Sequence, residues 1–433
     1  MLPLPCNLPL LLSLLLCVYT FSFNVPFNVP FNAYPPPPTL TGSMISTACS
    51  RYCLQSSKIT RTSKLFSSST PATSPATSPA TPTKTPPKKR VLSGVQPTGS
   101  LHLGNYLGSI SQWPKMQEEY DCSFCVVDLH SLTNMPKNTE VTKSLKENTL
   151  TAAAIYIASG VDPSTSNIFV QSHVKQHAEL SWLLSCSLPL NWLERMIQYK
   201  DKTATAKEGE VGTGLLTYPA LMAADILLYG AEVVPVGEDQ RQHLELTRDV
   251  ARRFNDLYCK GGPWKKKAKE YGVPSYPVFR EPAAQIVKGG ARIMSLSDGR
   301  NKMSKSDPNP NSCINILDSP DVIVQKIKAA KTDDIVGIFE DTSRPEANNL
   351  MSIYDITSQG DGEDVSGMSW GEFKPILATS VVEYLKPLQK RYEEVRNEEG
   401  YLEGVLKEGK ENASVIAEET VRKVKIGMGF YLD

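Results

Sequence analysis

From Arg90 onward the chain alternates short apolar runs with stretches of helical period, and this alternation leaves few folds open. The run RVLSGV over Arg90–Val95 ends in turn residues and predicts a first β-strand. A polar, Gly-containing loop, QPTGSLHLGN, follows over residues 96–105. Tyr106, Ile110, Trp113 and Tyr120 then recur at roughly helical spacing, with Pro114 expected to kink that helix. Cys122–Leu129 (CSFCVVDL) reads as a second buried strand. The order strand, loop, helix, strand implies a parallel α/β sheet with ligand sites at the strand ends.

Further along, a helical stretch from Val141 runs through TAAAIYIAS to a stop at Gly160, and Ile168–Gln171 is another strand candidate. His173–Lys207 reads as mainly helical. Residues 218–258 hold a strongly periodic helix, a short strand at Val233–Val236 and a second helix. Lys260–Phe279, rich in Gly, Pro and Lys, is expected to be a surface loop, and Ile293–Leu296 one more buried strand. From about Asp321 the pattern is charged and helical, ending in a long amphipathic stretch from Phe373. Three domains are therefore expected. They are a leader over 1–89, a parallel-sheet domain over 90–310 with a mainly helical insertion around 134–210, and an all-helical domain over 311–433.

Charge separates the leader from the rest. The 433 residues carry 46 Lys and Arg against 46 Asp and Glu, yet the first acidic residue is Glu118. Eight of the basic residues lie at or before Arg90, which leaves 38 basic against 46 acidic in the remainder. Contact with nucleic acid must then come from a local basic face. Leu8–Val18 (LPLLLSLLLCV) is too short to span a bilayer and reads as the apolar core of a signal peptide, without a charged start. The proline run Pro35–Pro38 and the PATS repeats that follow cannot bury a core and predict disorder. Acid-poor and Ser-rich, this second part reads as a transit peptide. The two-part address resembles that of algae whose plastids have extra membranes, with a mitochondrion, both organelles, or simple secretion as the competing readings. No membrane attachment is expected of the mature chain.

Two loops carry chemistry. The one over Gln96–Asn105 lies between a strand and a helix start, where backbone amides and small residues suit a phosphate and His102 can donate a hydrogen bond. Alone this equally describes an ordinary turn with a capping His. The second is Lys302-Met303-Ser304-Lys305-Ser306, after the apolar run at 293–296. Two lysines bracketing hydroxyl residues can clamp a polyphosphate and neutralise charge developing in a transition state. Both loops in one chain, each at a strand end, is a far more specific pairing than either alone.

That pairing resembles the class I aminoacyl-tRNA synthetases, with HLGN as a variant of the HIGH signature and KMSKS verbatim. The stretch from Gly214 to Asn255 is similar to the tryptophanyl-tRNA synthetase family nearly residue for residue. The likeness runs from about Arg90 to the C-terminus. It implies an α/β fold: a Rossmann-like catalytic domain with an inserted helical segment, followed by a helical domain that reads the anticodon. It also implies L-tryptophan, ATP with Mg2+ and tRNA(Trp) as substrates, a homodimer, and no resident metal. Gln96, Thr98, Gly104, Asn105, Gly237, Asp239, Ile293, Lys302, Met303, Ser304, Lys305 and Ser306 match the family's ATP-binding positions. Catalysis falls to His102, Lys302 and Lys305 by the same resemblance. Leu92, Gly94, His130, Tyr218, Met222, Asp225, Val234, Val236 and Gln240 match its tryptophan pocket.

The residues themselves support the pocket. Tyr218, Met222, Asp225 and Tyr229 share one helical face, and Pro219 suits a helix first turn. Asp225 stands among Ala, Ile, Leu and Met, where an unpaired charge is costly. An indole has one N–H and no acceptor, so Asp225 is a natural partner for it; an ion pair with a nearby Arg is the competing reading. Val234 and Val236 point the same way along a strand. A tyrosyl-tRNA synthetase shares fold and signatures but needs polar partners for a phenol. A silent RNA-binding paralogue would have lost His102, Lys302, Lys305 or Asp225. A small nucleotidyltransferase fits neither KMSKS nor the long helical tail. Cys122 and Cys125 read as core packing, His173 and His177 as surface or interface, and Lys265–Lys267 as a solvated run.

Overall fold

The computed structural model describes residues 87–99, 101–133, 139–204, 211–237, 240–286, 292–304 and 307–432. The leader expected over 1–89 thus falls almost wholly outside the described residues. Among the described residues five strands form one sheet: β1 (Arg90–Val95), β2 (Asp121–Val126), β3 (Asn167–Val170), β4 (Val233–Val236) and β5 (Ala283–Ile286). Their order is β3-β2-β1-β4-β5 and every pairing is parallel. This is the doubly wound arrangement, in which the strand order reverses beside β1 and opens a crevice at the carboxyl ends of β1 and β4.

Alternation along the strands builds two cores. Val91, Phe124 and Ile168 enter one apolar layer, while Leu92, Cys125, Phe169, Val234 and Val236 enter the other. The first layer is closed by α1 (Leu103–Gly108), α2 (Trp113–Glu119) and α4 (Thr139–Ala158), separated by the short α3 (Asp128–Ser131). The second is closed by α5 (Gln176–Ser185), α6 (Leu190–Glu194), α8 (Thr213–Leu228) and α9 (Arg241–Tyr258), with the polar α7 (Ile197–Ala204) at its margin through Tyr199. Tyr156 pins the ends of the two central strands: its hydroxyl accepts from Val95 N (2.9 Å) and donates to Cys125 O (3.2 Å).

Several expectations change. The strand expected to reach Leu129 stops at Val126, because α3 begins at Asp128. Pro114 does not kink a helix; it occupies the first turn of α2, where its missing N–H costs nothing. Pro219 lies inside α8 rather than in its first turn. The loop expected over 260–279 contains α10 (Gly261–Glu270), whose Trp264 and Ala268 are buried against the second core. Ile293–Leu296 joins no sheet and makes a bridge from Met294 to Lys302, while the fifth strand is Ala283–Ile286.

The C-terminal third is helical: α11 (Pro320–Ala329), α12 (Pro345–Thr357), α13 (Trp370–Asn397) and α14 (Tyr401–Met428). Helices α11–α13 pack on the first core, and α14 returns to β3. Leu402 and Leu406 of α14 join the first core, whereas Ala413, Ala417 and Val421 join the second. The helix therefore runs along the β3 side and covers the strand edge that open sheets must protect. Among the described residues no helix is long and apolar enough to cross a membrane.

Candidate active site

The site grows from the carboxyl ends of the strands. Gly94, near the end of the central strand, is exposed although Val91 and Leu92 are buried, so an opening lies there. A Cβ at Gly94 would stand 2.2 Å from Cys125 O, which makes glycine a requirement of the close strand approach. Gln96 and Thr98 follow in a turn closed by Thr98 N donating to Gln96 O (2.9 Å).

His102 caps α1. Its Nδ1 accepts from Asn105 N (3.2 Å), so a neutral ring carries its proton on Nε2, the form able to donate to a phosphate oxygen. Helix α1 has only 6 residues and runs into a 3-10 turn, so its dipole adds little and anion binding must rest on side chains. The loop is sewn to the segment beyond KMSKS: Leu103 N donates to Ile314 O (2.8 Å) and Ile316 N to Leu101 O (3.0 Å). A Cβ on Gly104 would lie 3.5 Å from Ile293 Cβ, which brings the second signature segment against the first.

That segment is a narrow hairpin. Ser295 N donates to Asn301 O (2.7 Å) and Met303 N to Ile293 O (3.1 Å). Ile293 and Met303 are buried, while Lys302 and Ser304 face outward. Asn349 of α12 clamps the hairpin base, accepting from Met294 N (2.8 Å) and donating to Met294 O (3.0 Å). Lys305 and Ser306 lie outside the described residues, as does Asp239; Gly237 is exposed at the end of β4 and Gln240 caps α9.

Asp225 is the buried charge of the site, 5% exposed. Among the described residues no Arg pairs with it. Its Oδ2 takes His130 Nε2 (2.8 Å), its Oδ1 takes His177 Nδ1 (2.6 Å), and Gln171 Nε2 straddles both oxygens at 2.8 and 2.9 Å. Burial alone would raise its pKa, but the His130 and His177 hydrogen bonds outweigh that and hold it at about 2. Leu92, Val234 and Val236 belong to the same apolar layer as the buried face of α8, with Met222 half-buried against it. The His130 and Tyr218 rings meet edge to face at 6.3 Å, and Tyr218 Oη bonds His243 Nε2 (2.6 Å).

Reading the sequence missed part of this cluster. His177, assigned to surface or interface, is fully buried and bonded to Asp225, because α5 turns that face onto α8. His173 is exposed. Gln171 had a usable signal, since it stands immediately past β3, at a strand carboxyl end. His177 had none beyond its spacing from His173. Cys122 and Cys125 enter opposite cores and cannot share an ion, and burial pushes the Cys122 thiol up to about 12, so both pack as protonated thiols.

Residues 84–386 match the family model of class I tRNA synthetases (W and Y). The tryptophan–tRNA ligase of Thermosynechococcus vestitus is 53% identical over 348 residues, covering 79% of this chain and 100% of that one. The chloroplastic/mitochondrial tryptophan–tRNA ligase of Arabidopsis thaliana is 49% identical, covering 79% and 83%. Among solved structures, tryptophanyl-tRNA synthetase of Mycoplasma pneumoniae matches with TM-score 0.68 and 33% identity over 79% of this chain and 98% of that one. The Campylobacter jejuni enzyme, complexed with ADP and tryptophan, matches with TM-score 0.64 and 32% identity over 79% and 100%. The chain is thus an enzyme of the class I aminoacyl-tRNA synthetases and belongs to their tryptophan–tRNA ligase family.

Proposed function

We propose that this enzyme activates L-tryptophan with ATP and loads it onto tRNA(Trp) inside an organelle. The observation that carries the amino-acid assignment is the Asp225 carboxylate, buried and ionised in an apolar pocket, where it can accept the single N–H of an indole. Leu92, Gly94, Met222, Val234 and Val236 would line the ring, and His130, Tyr218 and Gln240 complete its surroundings. Gln96, Thr98, Gly104, Asn105, Gly237, Asp239, Ile293, Met303, Ser304 and Ser306 would hold ATP.

The tryptophan carboxylate attacks the α-phosphorus of ATP and pyrophosphate leaves, so positioning and charge neutralisation are the main requirements. His102 donates to a phosphate oxygen, and Lys302 with Lys305 stabilises the departing pyrophosphate. Mg2+ would arrive with ATP and offset phosphate charge. A hydroxyl of the terminal adenosine of the tRNA then attacks the tryptophanyl-adenylate. The helical domain over 311–433 would read the anticodon. Exposed Trp182, Leu190 and Ile197 on three successive helices support a homodimer.

The acid-free, Ser-rich leader and the chloroplastic/mitochondrial relative support an organellar address, with a plastid favoured over a mitochondrion. Charging of a tRNA(Trp) transcript by the enzyme, and of no other transcript, tests the reaction. Imaging a fluorescent fusion of residues 1–95 tests the compartment; signal confined to mitochondria, or secreted, would remove the plastid.

A further inference from the structure

Asp225 is held by more than the pocket needs. His177, Gln171 and Tyr229 are all buried and none is among the residues assigned to tryptophan above. A carboxylate only accepts, so His177 must donate through Nδ1. In the neutral ring this leaves Nε2 as an acceptor, and Tyr229 Oη lies 2.7 Å from it. Burial, then the nearby Cys125 thiol and Asp225, push the Tyr229 phenol well above its usual range, so it stays protonated and donates. The orientation of Gln171 is also set: its Oε1 accepts from Leu129 N (3.1 Å), which turns Nε2 toward Asp225. The next residue pair repeats the stitch, with Asp128 accepting from Ser172 N (2.9 Å) and Ser172 Oγ (2.5 Å).

Three side chains thus make four donor contacts, two on each Asp225 oxygen, and the contact Gln171 Nε2 shares across both oxygens is the one an indole N–H would replace on one of them. We propose that His177, Gln171 and Tyr229 are positioning residues for tryptophan selection: they keep Asp225 ionised and its plane fixed, so that the oxygen Gln171 shares meets the indole N–H. This rests on the assignment of Asp225 to the indole. The titratable groups facing Asp225 are Cys125 of β2, His130 of α3, His177 of α5 and Tyr229 just past α8, with Asp128 of α3 acting on Cys125.

The arrangement makes a claim that core packing alone does not. Without the His177 donor, burial should lift the Asp225 pKa, and a protonated Asp225 is a poorer acceptor. Loss of one hydrogen bond to a buried charge corresponds to roughly ten- to a hundredfold in affinity. The test is tryptophan-dependent pyrophosphate exchange between pH 5 and 8 on the whole chain. His177→Phe should raise the tryptophan KM by that factor, leave the ATP KM unchanged, and lose more affinity as pH falls. His177→Asn, whose amide can stand where Nδ1 does, should restore most of it.

Tyr229→Phe, which keeps the ring, should give a smaller rise in the same direction. Should His177→Phe not fold, Tyr229→Phe decides: an unchanged tryptophan KM and pH profile overturns the proposal. Asp225→Asn separates the two layers of the argument. If it raises the tryptophan KM while His177→Phe does not, the positioning role fails and the indole assignment stands. If neither variant changes it, the indole assignment fails as well.

Discussion

Asn349→Ala removes the side chain that ties the KMSKS hairpin to α12. Asn349 is 5% exposed and saturates both polar groups of Met294, accepting from its N–H at 2.8 Å and donating to its carbonyl at 3.0 Å. Truncation leaves two backbone groups without partners, at about 1–3 kcal/mol each if no water replaces the amide. Partial hydration of the new cavity brings the net loss to about 2–4 kcal/mol, a large part of the roughly 5–15 kcal/mol typical of a folded domain. Urea denaturation should show a lower midpoint with an unchanged slope. Because Met303 N reaches back to Ile293 O across the same hairpin, the displacement should extend to Lys302. Pyrophosphate exchange should then show a lower kcat and a raised ATP KM, with the tryptophan KM unaltered. A variant as stable as the parent, with an unaltered ATP KM, would refute the clamp.

Lys326→Met breaks a largely buried ion pair with Asp318 (2.6 Å) and strands its carboxylate, so a loss of about 3–5 kcal/mol is expected in thermal or urea unfolding. Asp318 also accepts from Asn315 N (2.8 Å), and Asn315 bridges His102, so kcat should fall too. For pH, the folded pKa of Asp225 is about 2 against an ordinary 3.8. A depressed carboxyl pKa contributes stability above the ordinary value and loses it as pH falls toward the folded one. Unfolding curves from pH 5 down to 2 should therefore fall less steeply in Asp225→Asn than in the parent; identical slopes would count against an ionised Asp225.

What the sequence revealed and concealed follows from the range of the interactions. Strand β1 and the loop to Asn105 were legible because a short apolar run followed by Gly and polar residues has few alternative conformations. Val233–Val236 was legible because two periodic helices bracket it. Ile293–Leu296 reads as a strand but is one arm of a hairpin, since a buried four-residue apolar run looks alike whether its partner is a sheet or its own returning chain. Helix α10 was hidden by its Gly-Gly-Pro start and lysines; Trp264 and Ala268, buried on one side, are its apolar face. The chemistry divided similarly. Asp225 stood out as a charge in an apolar helix, but its partners come from α3, the turn after β3, and α5. Only the tertiary fold brings those together, so from the sequence His177 reads as surface or interface.

The central claim is that Asp225 and the two signature loops form one tryptophan-activating site. Amino-acid-dependent ATP–pyrophosphate exchange, run with each of the twenty amino acids on the enzyme and on Asp225→Ala and Lys305→Ala, tests it directly. The account predicts exchange with tryptophan alone, lost in both variants. Exchange with tyrosine would contradict the reading of the pocket, and no exchange with any amino acid would contradict the reading of the site as a whole.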